Sequence, residues 1–122
     1  MKSELRENMY ILTKDGIIAK VDYIDNDTIF FDKELYRTYG DSIDFLEKDN
    51  LERIVKASYN IIDLISRFDL VNGHLVICKM YEDEKDIPTI IKCVGDYYFK
   101  EEDIKSVITH EQIEQMAYKV GE

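Results

Sequence analysis

The most reactive side chains in this chain are two histidines and two cysteines, His74, His110, Cys78 and Cys93. They would offer the nitrogen and sulfur ligands that zinc prefers. Their spacing argues against a metal centre, because the sequence has no Cys-x-x-Cys pair and no paired histidines at helical spacing. Both cysteines also lie in apolar, β-like runs. We therefore expect both thiols to be free, buried and without a metal.

Motifs for covalent or phosphoryl chemistry are missing from the sequence. A catalytic serine or cysteine needs a nearby histidine and a glycine-rich oxyanion turn, and no serine lies in such a context. The five glycines are isolated, so they cannot form a phosphate-cradling loop. The cluster 82–86 lacks the alternating oxygen ligands and the central glycine of an EF-hand loop. We predict a protein that is not an enzyme and carries no cofactor.

Carboxylates dominate the charge of the chain, which has a formal net charge of −10. Residues 1–58 contain 9 basic and 13 acidic side chains, and residues 59–122 contain 7 and 13, so the excess is spread over both halves. Binding to a nucleic-acid backbone needs a basic patch, and none is visible, so we expect no direct nucleic-acid binding. The charge favours a basic partner or one that normally holds phosphate, although solubility alone would also explain it.

Acidic clusters and two neighbouring tyrosines are the candidate partner-binding residues. A tyrosine beside carboxylates offers flat apolar area and hydrogen bonds toward an Arg- or Lys-rich surface. The alternative interpretation is that rings such as Tyr97 fill a small core. The candidates are Asp22, Asp25, Asp27, Glu82, Asp83, Glu84, Tyr97, Tyr98, Glu101, Glu102 and Asp103.

The elements that must position these side chains occur twice along the chain. Asp15-Gly16 opens an alternating run that ends near Ile24, and Asn72-Gly73 opens another that ends near Tyr81. Such dipeptides between apolar runs predict tight hairpins, because a type I′ turn needs positive φ. With the glycines in register, one face carries Ala19, Val21 and Tyr23 in the first copy and Val76, Cys78 and Met80 in the second.

The closing segments of the two halves are also alike. Residues 49–55 and 102–108 each combine an acidic start with an apolar triplet, which predicts a short 3₁₀ turn before a final strand. Small SH3-like barrels commonly end in this way. We expect the same strand order in both halves, with Gly16 over Gly73 and Leu51 over Ile104.

The predicted fold is mostly β, with two SH3-like units in tandem at residues 1–58 and 59–122. A unit of about 55 residues buries too little surface to be stable alone, so we expect the two to pack as one body. Between them, Ser58 or Asn60 is placed to cap a single helical turn.

One segment of the second half has no counterpart in the first. Thr109 and Gln112 have the spacing of a capping box, which predicts a short helix over residues 110–116. The residues that follow, 117–120, read as a terminal strand.

Four segments of the second half carry a family resemblance: KASYNIIDLI (56–65), VNG (71–73), DIKSVIT (103–109) and EQIEQMAYKV (111–120). They resemble small uncharacterised proteins encoded by phages and prophages of low-GC Gram-positive bacteria. The first half is similar to those proteins only in size and in its opening at 13–17. The resemblance implies a phage or prophage context and transfers no catalytic residue.

The chain departs from that family at one turn. Where the family usually has an acidic residue and Val-Gly-Asp, this sequence has Ser66-Arg67-Phe68-Asp69. The expected glycine is therefore missing, and the conformation of this turn does not follow from the sequence.

Together these observations favour a non-enzymatic acidic protein that binds a host macromolecule in the bacterial cytoplasm. We expect no signal peptide and no membrane span, because no apolar run is long enough. In a phage setting such a protein could inhibit a CRISPR or restriction nuclease as a DNA mimic, with carboxylates in place of phosphates. The alternatives are a small-ligand or nucleotide binder with a tyrosine-lined pocket between the units, and a phage structural or housekeeping protein. A homo-oligomer is compatible with each.

Overall fold

Ten β-strands within the described residues, 5–32, 43–82 and 87–120, form two antiparallel sheets in the computed structural model. The first sheet contains β1 (Tyr10–Thr13), β2 (Ile18–Asp25), β3 (Thr28–Asp32), β4 (Phe45–Glu47) and β5 (Ile54–Ser58). The second contains β6 (Leu70–Val71), β7 (His74–Tyr81), β8 (Pro88–Cys93), β9 (Tyr97–Lys100) and β10 (Val107–Ile108). The prediction of a mostly β fold is confirmed.

The two sheets have the same strand order. The first runs β4-β3-β2-β1-β5 and the second runs β9-β8-β7-β6-β10, so the fifth strand of each half pairs with its first. A 3₁₀ turn precedes that fifth strand in both halves, at Lys48–Arg53 and at Glu101–Asp103. The predicted internal repeat is therefore confirmed in strand order. Within the described residues neither sheet closes into a barrel.

The hairpin turns of the two halves differ in length, so the glycine register of the repeat is wrong. Val71 pairs with His74 across Asn72-Gly73, whose φ angles of 52° and 82° suit a two-residue primed turn. In the first half the Thr13 amide donates a hydrogen bond to the Ile17 carbonyl oxygen at 2.9 Å, which leaves three residues in the turn, of which only Gly16 has a positive φ.

The strand ladders give the correct alignment of the repeat. Val21 pairs with Phe31, and Val76 pairs with Cys93, and in each case the next strand position carries a register shift. Val21 therefore corresponds to Val76, two positions away from the alignment that the glycines predict. Both valines are buried.

The prediction that Cys78 lies in the core is wrong, because Cys78 is exposed. The register shift after Val76 explains this difference. Side chains alternate between faces with a period of two, so one extra residue at a bulge turns the following side chains to the opposite face. Cys78 and its first-sheet counterpart Tyr23 come directly after the shift, and both are exposed. Cys93 is buried, as predicted.

The match of Leu51 with Ile104 stays a prediction. Ile54 and Ile104 each follow directly on a 3₁₀ turn, and both are buried. The segment Lys48–Arg53 is interrupted by a non-helical conformation at Asn50, whereas Glu101–Asp103 is a single turn of three residues.

Helix α1 (His110–Val120) begins where the capping box predicts and ends later than predicted. Residues 117–120 continue the helix and do not form a terminal strand. Once a helix is nucleated each added residue gains a hydrogen bond, and Ala117 and Lys119 are good helix formers. No helix in the described residues has the length and the apolar character needed to cross a membrane.

Strand β1 lies between two hydrophobic clusters and is buried on both faces. Tyr10 packs in a cluster with the second sheet, whereas Ile11 packs in the cluster of the first sheet. The 3₁₀ turn Ile61–Leu64 between the halves contributes three buried side chains to the second-sheet cluster, and Asn60 caps it by accepting a hydrogen bond from the Ile62 amide at 3.0 Å. The two halves therefore share apolar contacts through β1 and this turn.

Candidate functional site

A groove with a volume of about 500 Å³ opens where β8 begins, and three carboxylates line it: Glu82, Glu101 and Glu102. Glu82 follows the end of β7, and Glu101 and Glu102 follow the end of β9. β7 and β9 flank β8 and both run antiparallel to it, so both end beside its first residue. Topology therefore assembles carboxylates that are far apart in sequence. We call this feature the acidic groove.

Apolar side chains also line the acidic groove. Ile62 comes from the 3₁₀ turn between the halves, and Ile87 and Pro88 come from the start of β8. The Asn60 side-chain amide donates a 2.8 Å hydrogen bond to the Pro88 carbonyl oxygen, which holds β8 against that turn. Ile87 remains more than half exposed, so apolar surface is open to a ligand.

Two further polar groups line the acidic groove. The Thr89 hydroxyl is buried and has no hydrogen-bond partner, although a buried hydroxyl ordinarily has one. Lys100 adds a cation, so the carboxylates exceed the cations among the lining side chains. The described lining contains no tyrosine, in contrast to the predicted tyrosine-lined pocket.

Asp103 is exposed on the 3₁₀ turn Glu101–Asp103, and its hydrogen bonds stabilise that turn. Its carboxylate accepts a hydrogen bond from the Lys100 amide at 3.3 Å, and its carbonyl oxygen accepts one from the Asn72 side chain at 2.8 Å. Asn72 in turn accepts from the amides of Lys105 and Ser106. Asp103 therefore fixes the turn that presents the two groove glutamates.

The remaining acidic candidates lie elsewhere. Asp22 and Asp25 are exposed on β2, and Asp27 is exposed in the turn between β2 and β3, so this group belongs to the first sheet. The structure does not bring it together with the acidic groove. Asp83 and Glu84 lie outside the described residues.

Tyr97 and Tyr98 point to opposite faces of β9, so they do not form one flat anchor. Tyr97 shares its face with Cys93, and its ring stacks on His74 with 3.8 Å between the centroids. Tyr98 shares the other face with Lys92, whose ammonium lies 5.9 Å from the ring centroid. Both rings are about half exposed.

A second cluster, which sequence reasoning missed, joins Asp69, His110 and Glu111. Asp69 is 1% exposed, and one of its oxygens accepts hydrogen bonds from the His110 amide and from His110 Nδ1, each at 2.7 Å. Its other oxygen accepts from the Ser66 amide at 2.7 Å. Glu111 Oε1 lies 2.5 Å from His110 Nε2 and makes an ion-pair contact without hydrogen-bond geometry.

The cluster favours a protonated imidazole. The hydrogen bond to Asp69 raises the pKa of His110, with the Glu111 and Glu114 charges adding to it. Burial raises the pKa of Glu111. The ligand atoms of the cluster lie within 4.8 Å of one another, but each ring nitrogen already faces a carboxylate oxygen, so neither offers a metal an open lone pair.

The only sequence signal for this cluster was the capping box itself. His110 occupies the first helical position after Thr109, where an acidic partner is electrostatically favourable. Nothing in the sequence indicated that Asp69, which is 41 residues earlier, would be that partner. Among the described residues, His74, Cys78, Cys93 and His110 are not brought together as one group of possible metal ligands. Burial raises the pKa of the Cys93 thiol, which makes it unreactive.

No protein-family model, curated protein or solved structure matches this chain. Function is therefore argued from the arrangement of the side chains.

Proposed function

We propose that this protein is a non-enzymatic binding protein whose acidic groove takes a basic segment of another macromolecule. The observation that carries the proposal is the convergence of Glu82, Glu101 and Glu102 on one groove that apolar side chains also line. A lysine or arginine side chain has an apolar stem and a cationic head, so it matches both parts of such a groove.

The charge of the whole chain supports a cationic partner. A net charge of −10 attracts a basic surface over several ångströms and raises the association rate. The exposed Asp22, Asp25 and Asp27 add to this long-range field from the first sheet. A nucleotide fits the groove less well, because its phosphates would meet three carboxylates.

In the phage context that the sequence resemblance implies, the basic partner would be a host nuclease of the CRISPR or restriction systems. The carboxylates would then occupy a channel that normally holds nucleic acid. The cytoplasm of the host would be the site of action. This extension depends on the resemblance, whereas binding to a basic segment depends on the groove alone.

The fold proposal is that each half is an SH3-like unit. It is supported by the shared strand order, in which the fifth strand pairs with the first, and by the 3₁₀ turn before that strand. Units of this kind serve many functions, so the fold adds nothing about the partner.

The binding proposal is tested with two variants of equal charge. The groove variant carries Glu82→Gln, Glu101→Gln and Glu102→Gln, and the control variant carries Asp22→Asn, Asp25→Asn and Asp27→Asn. Each is used as bait in a lysate of a Gram-positive host, with captured proteins identified by mass spectrometry, and each is titrated with a hexa-arginine peptide by calorimetry. We expect the groove variant to lose both the captured protein and the peptide, and the control to keep them with a slower association rate.

Three results would contradict the proposal. Equal losses in both variants would mean that only the overall charge matters. Unchanged binding in the groove variant would remove the groove from the interface. A rise in melting temperature with a nucleotide and not with the peptide would favour the small-ligand alternative.

A further inference from the structure

The first turns of helix α1 are attached to both halves of the molecule. The Thr109 hydroxyl donates a 2.7 Å hydrogen bond to the Gly16 carbonyl oxygen, and the Gln115 side chain donates one of 3.0 Å to the Asp15 carbonyl oxygen, both in the loop between β1 and β2. Asp69, which precedes β6, binds the helix from the other half through His110. The helix therefore fastens the two halves together.

The contact with Asp69 depends on a proton. A neutral imidazole has one N–H, whereas an imidazolium has two. His110 presents Nδ1 to Asp69 and Nε2 to Glu111, so loss of a proton leaves a ring lone pair facing a carboxylate oxygen. We propose that Asp69, His110 and Glu111 form a pH-operated latch that holds the start of α1 while His110 is protonated and loosens it when His110 is neutral.

Charges from each packed element act on this latch. Glu114 on α1 adds negative charge near His110. Lys79 of β7 interacts electrostatically with Asp69. On the side of the first half, Asp15 pairs with Arg53 at 3.8 Å, which reduces the influence of that carboxylate. The net surroundings of His110 are acidic, which favours the imidazolium.

The direction of the pH effect follows from the pKa of His110, which the Asp69 hydrogen bond raises. A group with a raised pKa in the folded state contributes stability that is fully present below its unfolded pKa of about 6.5. That stability is lost as the pH rises through the higher folded pKa. The raised pKa of the partly buried Glu111 acts in the same direction, since its ionised form is disfavoured in the folded protein.

The test uses the wild-type chain and nuclear magnetic resonance. The His110 ring is titrated from pH 5 to pH 9, with the His74 ring as a reference resonance. Hydrogen-exchange protection is measured over the same range at the Ile113 amide, which donates to the Thr109 carbonyl oxygen, and at the Val21 amide in the first sheet. We expect a His110 midpoint above 6.5 and a parallel loss of protection at Ile113 but not at Val21. The loss should be about tenfold for each pH unit by which the midpoint is raised.

A variant and a metal control complete the test. His110→Gln keeps a side-chain amide donor but cannot titrate, so its Ile113 protection should no longer fall above pH 6.5, whereas a change at lower pH would belong to Glu111. A His110 midpoint at or below 6.5, protection that is constant through the midpoint, or an unchanged pH dependence in His110→Gln would overturn the latch. If equimolar zinc chloride shifts the His110 resonances at neutral pH and restores protection, the cluster is a metal site and the latch proposal fails.

Discussion

The hydroxyl of Thr109 donates a hydrogen bond to the carbonyl oxygen of Gly16, 93 residues earlier in the chain. Thr109 is also the N-cap of α1, because its hydroxyl oxygen accepts from the Gln112 amide at 3.4 Å while its own amide donates to Gln112 Oε1 at 3.2 Å. One buried side chain therefore starts the helix and attaches it to the first half. This joint gives rise to the first two predictions.

Replacing Gly16 with alanine should destabilise the protein strongly. Its φ of 90° is strained for any L-residue, and an added Cβ would collide with Thr109 Oγ1 and lie 2.8 Å from Glu111 Cβ. Gly73→Ala is the matched control, because its φ of 82° is similar and nothing lies within 4 Å of an added Cβ. We expect losses in the free energy of unfolding of about 3 kcal/mol and about 1 kcal/mol, measured by urea unfolding. Equal losses would show that Gly16 is not packed against α1.

Replacing Thr109 with valine should cost about 2 kcal/mol of unfolding free energy. Valine has nearly the same shape but leaves the Gly16 carbonyl oxygen without its donor and removes the cap from α1. Thr109→Ser keeps the hydroxyl and should lose less than half as much. Urea unfolding followed by circular dichroism measures both. A serine variant as unstable as the valine variant would assign the effect to packing of the methyl group.

Replacing Phe68 with glycine should stabilise the protein by about 0.5–1 kcal/mol. Phe68 has a φ of 78°, a left-handed conformation that is unstrained only for glycine. The loss of the Arg67 guanidinium contact, 4.8 Å from the ring centroid, offsets part of the gain. Phe68→Ala removes the same ring without relieving the backbone, so it should be less stable than Phe68→Gly by about 1 kcal/mol. Thermal unfolding that ranks the two variants equally would contradict the strain argument.

The two thiols should react at very different rates. Cys78 is exposed on β7, whereas Cys93 is fully buried and burial raises its pKa. A thiol reagent should label Cys78 of the native protein within minutes and Cys93 only after unfolding, because the thiolate is the reactive form. Cys78→Ser should abolish the rapid phase. If Cys93→Ser abolishes the rapid phase instead, the register shift in β7 does not turn Cys78 to solvent.

Local signals in the sequence predicted the parts of the fold that depend on neighbouring residues. Asn72-Gly73 predicted the second hairpin turn, Thr109 with Gln112 predicted the start of α1, and the placement of Asn60 predicted a cap. The shared strand order followed from the internal repeat. Each of these features has its physical cause within a few residues of chain, so a single sequence contains it.

The acidic groove could be predicted only in part. The sequence pointed to Glu82, Glu101 and Glu102 as candidate binding residues among eleven, but it placed Tyr97 and Tyr98 with them. Period-two alternation puts neighbouring residues of a strand on opposite faces. The opposite orientations of Tyr97 and Tyr98 could therefore have been predicted from the sequence. Two acidic clusters line the same groove only if the strands that carry them end side by side in the sheet. The order of strands in the sheet cannot be read from any one segment of the sequence.

By itself, the sequence determined where the strands and the helix begin, which turns need glycine, and that the protein is strongly acidic, because these depend on local backbone preferences and composition. Tertiary structure alone decided that an extra residue after Val76 turns Cys78 to solvent, and that the 3₁₀ segment is interrupted at Asn50 in one half and is a single three-residue turn in the other. It alone brought Asp69 to His110 across 41 residues. Register shifts and long-range ion contacts arise from the pairing of distant strands, and no spacing along the chain encodes that pairing directly.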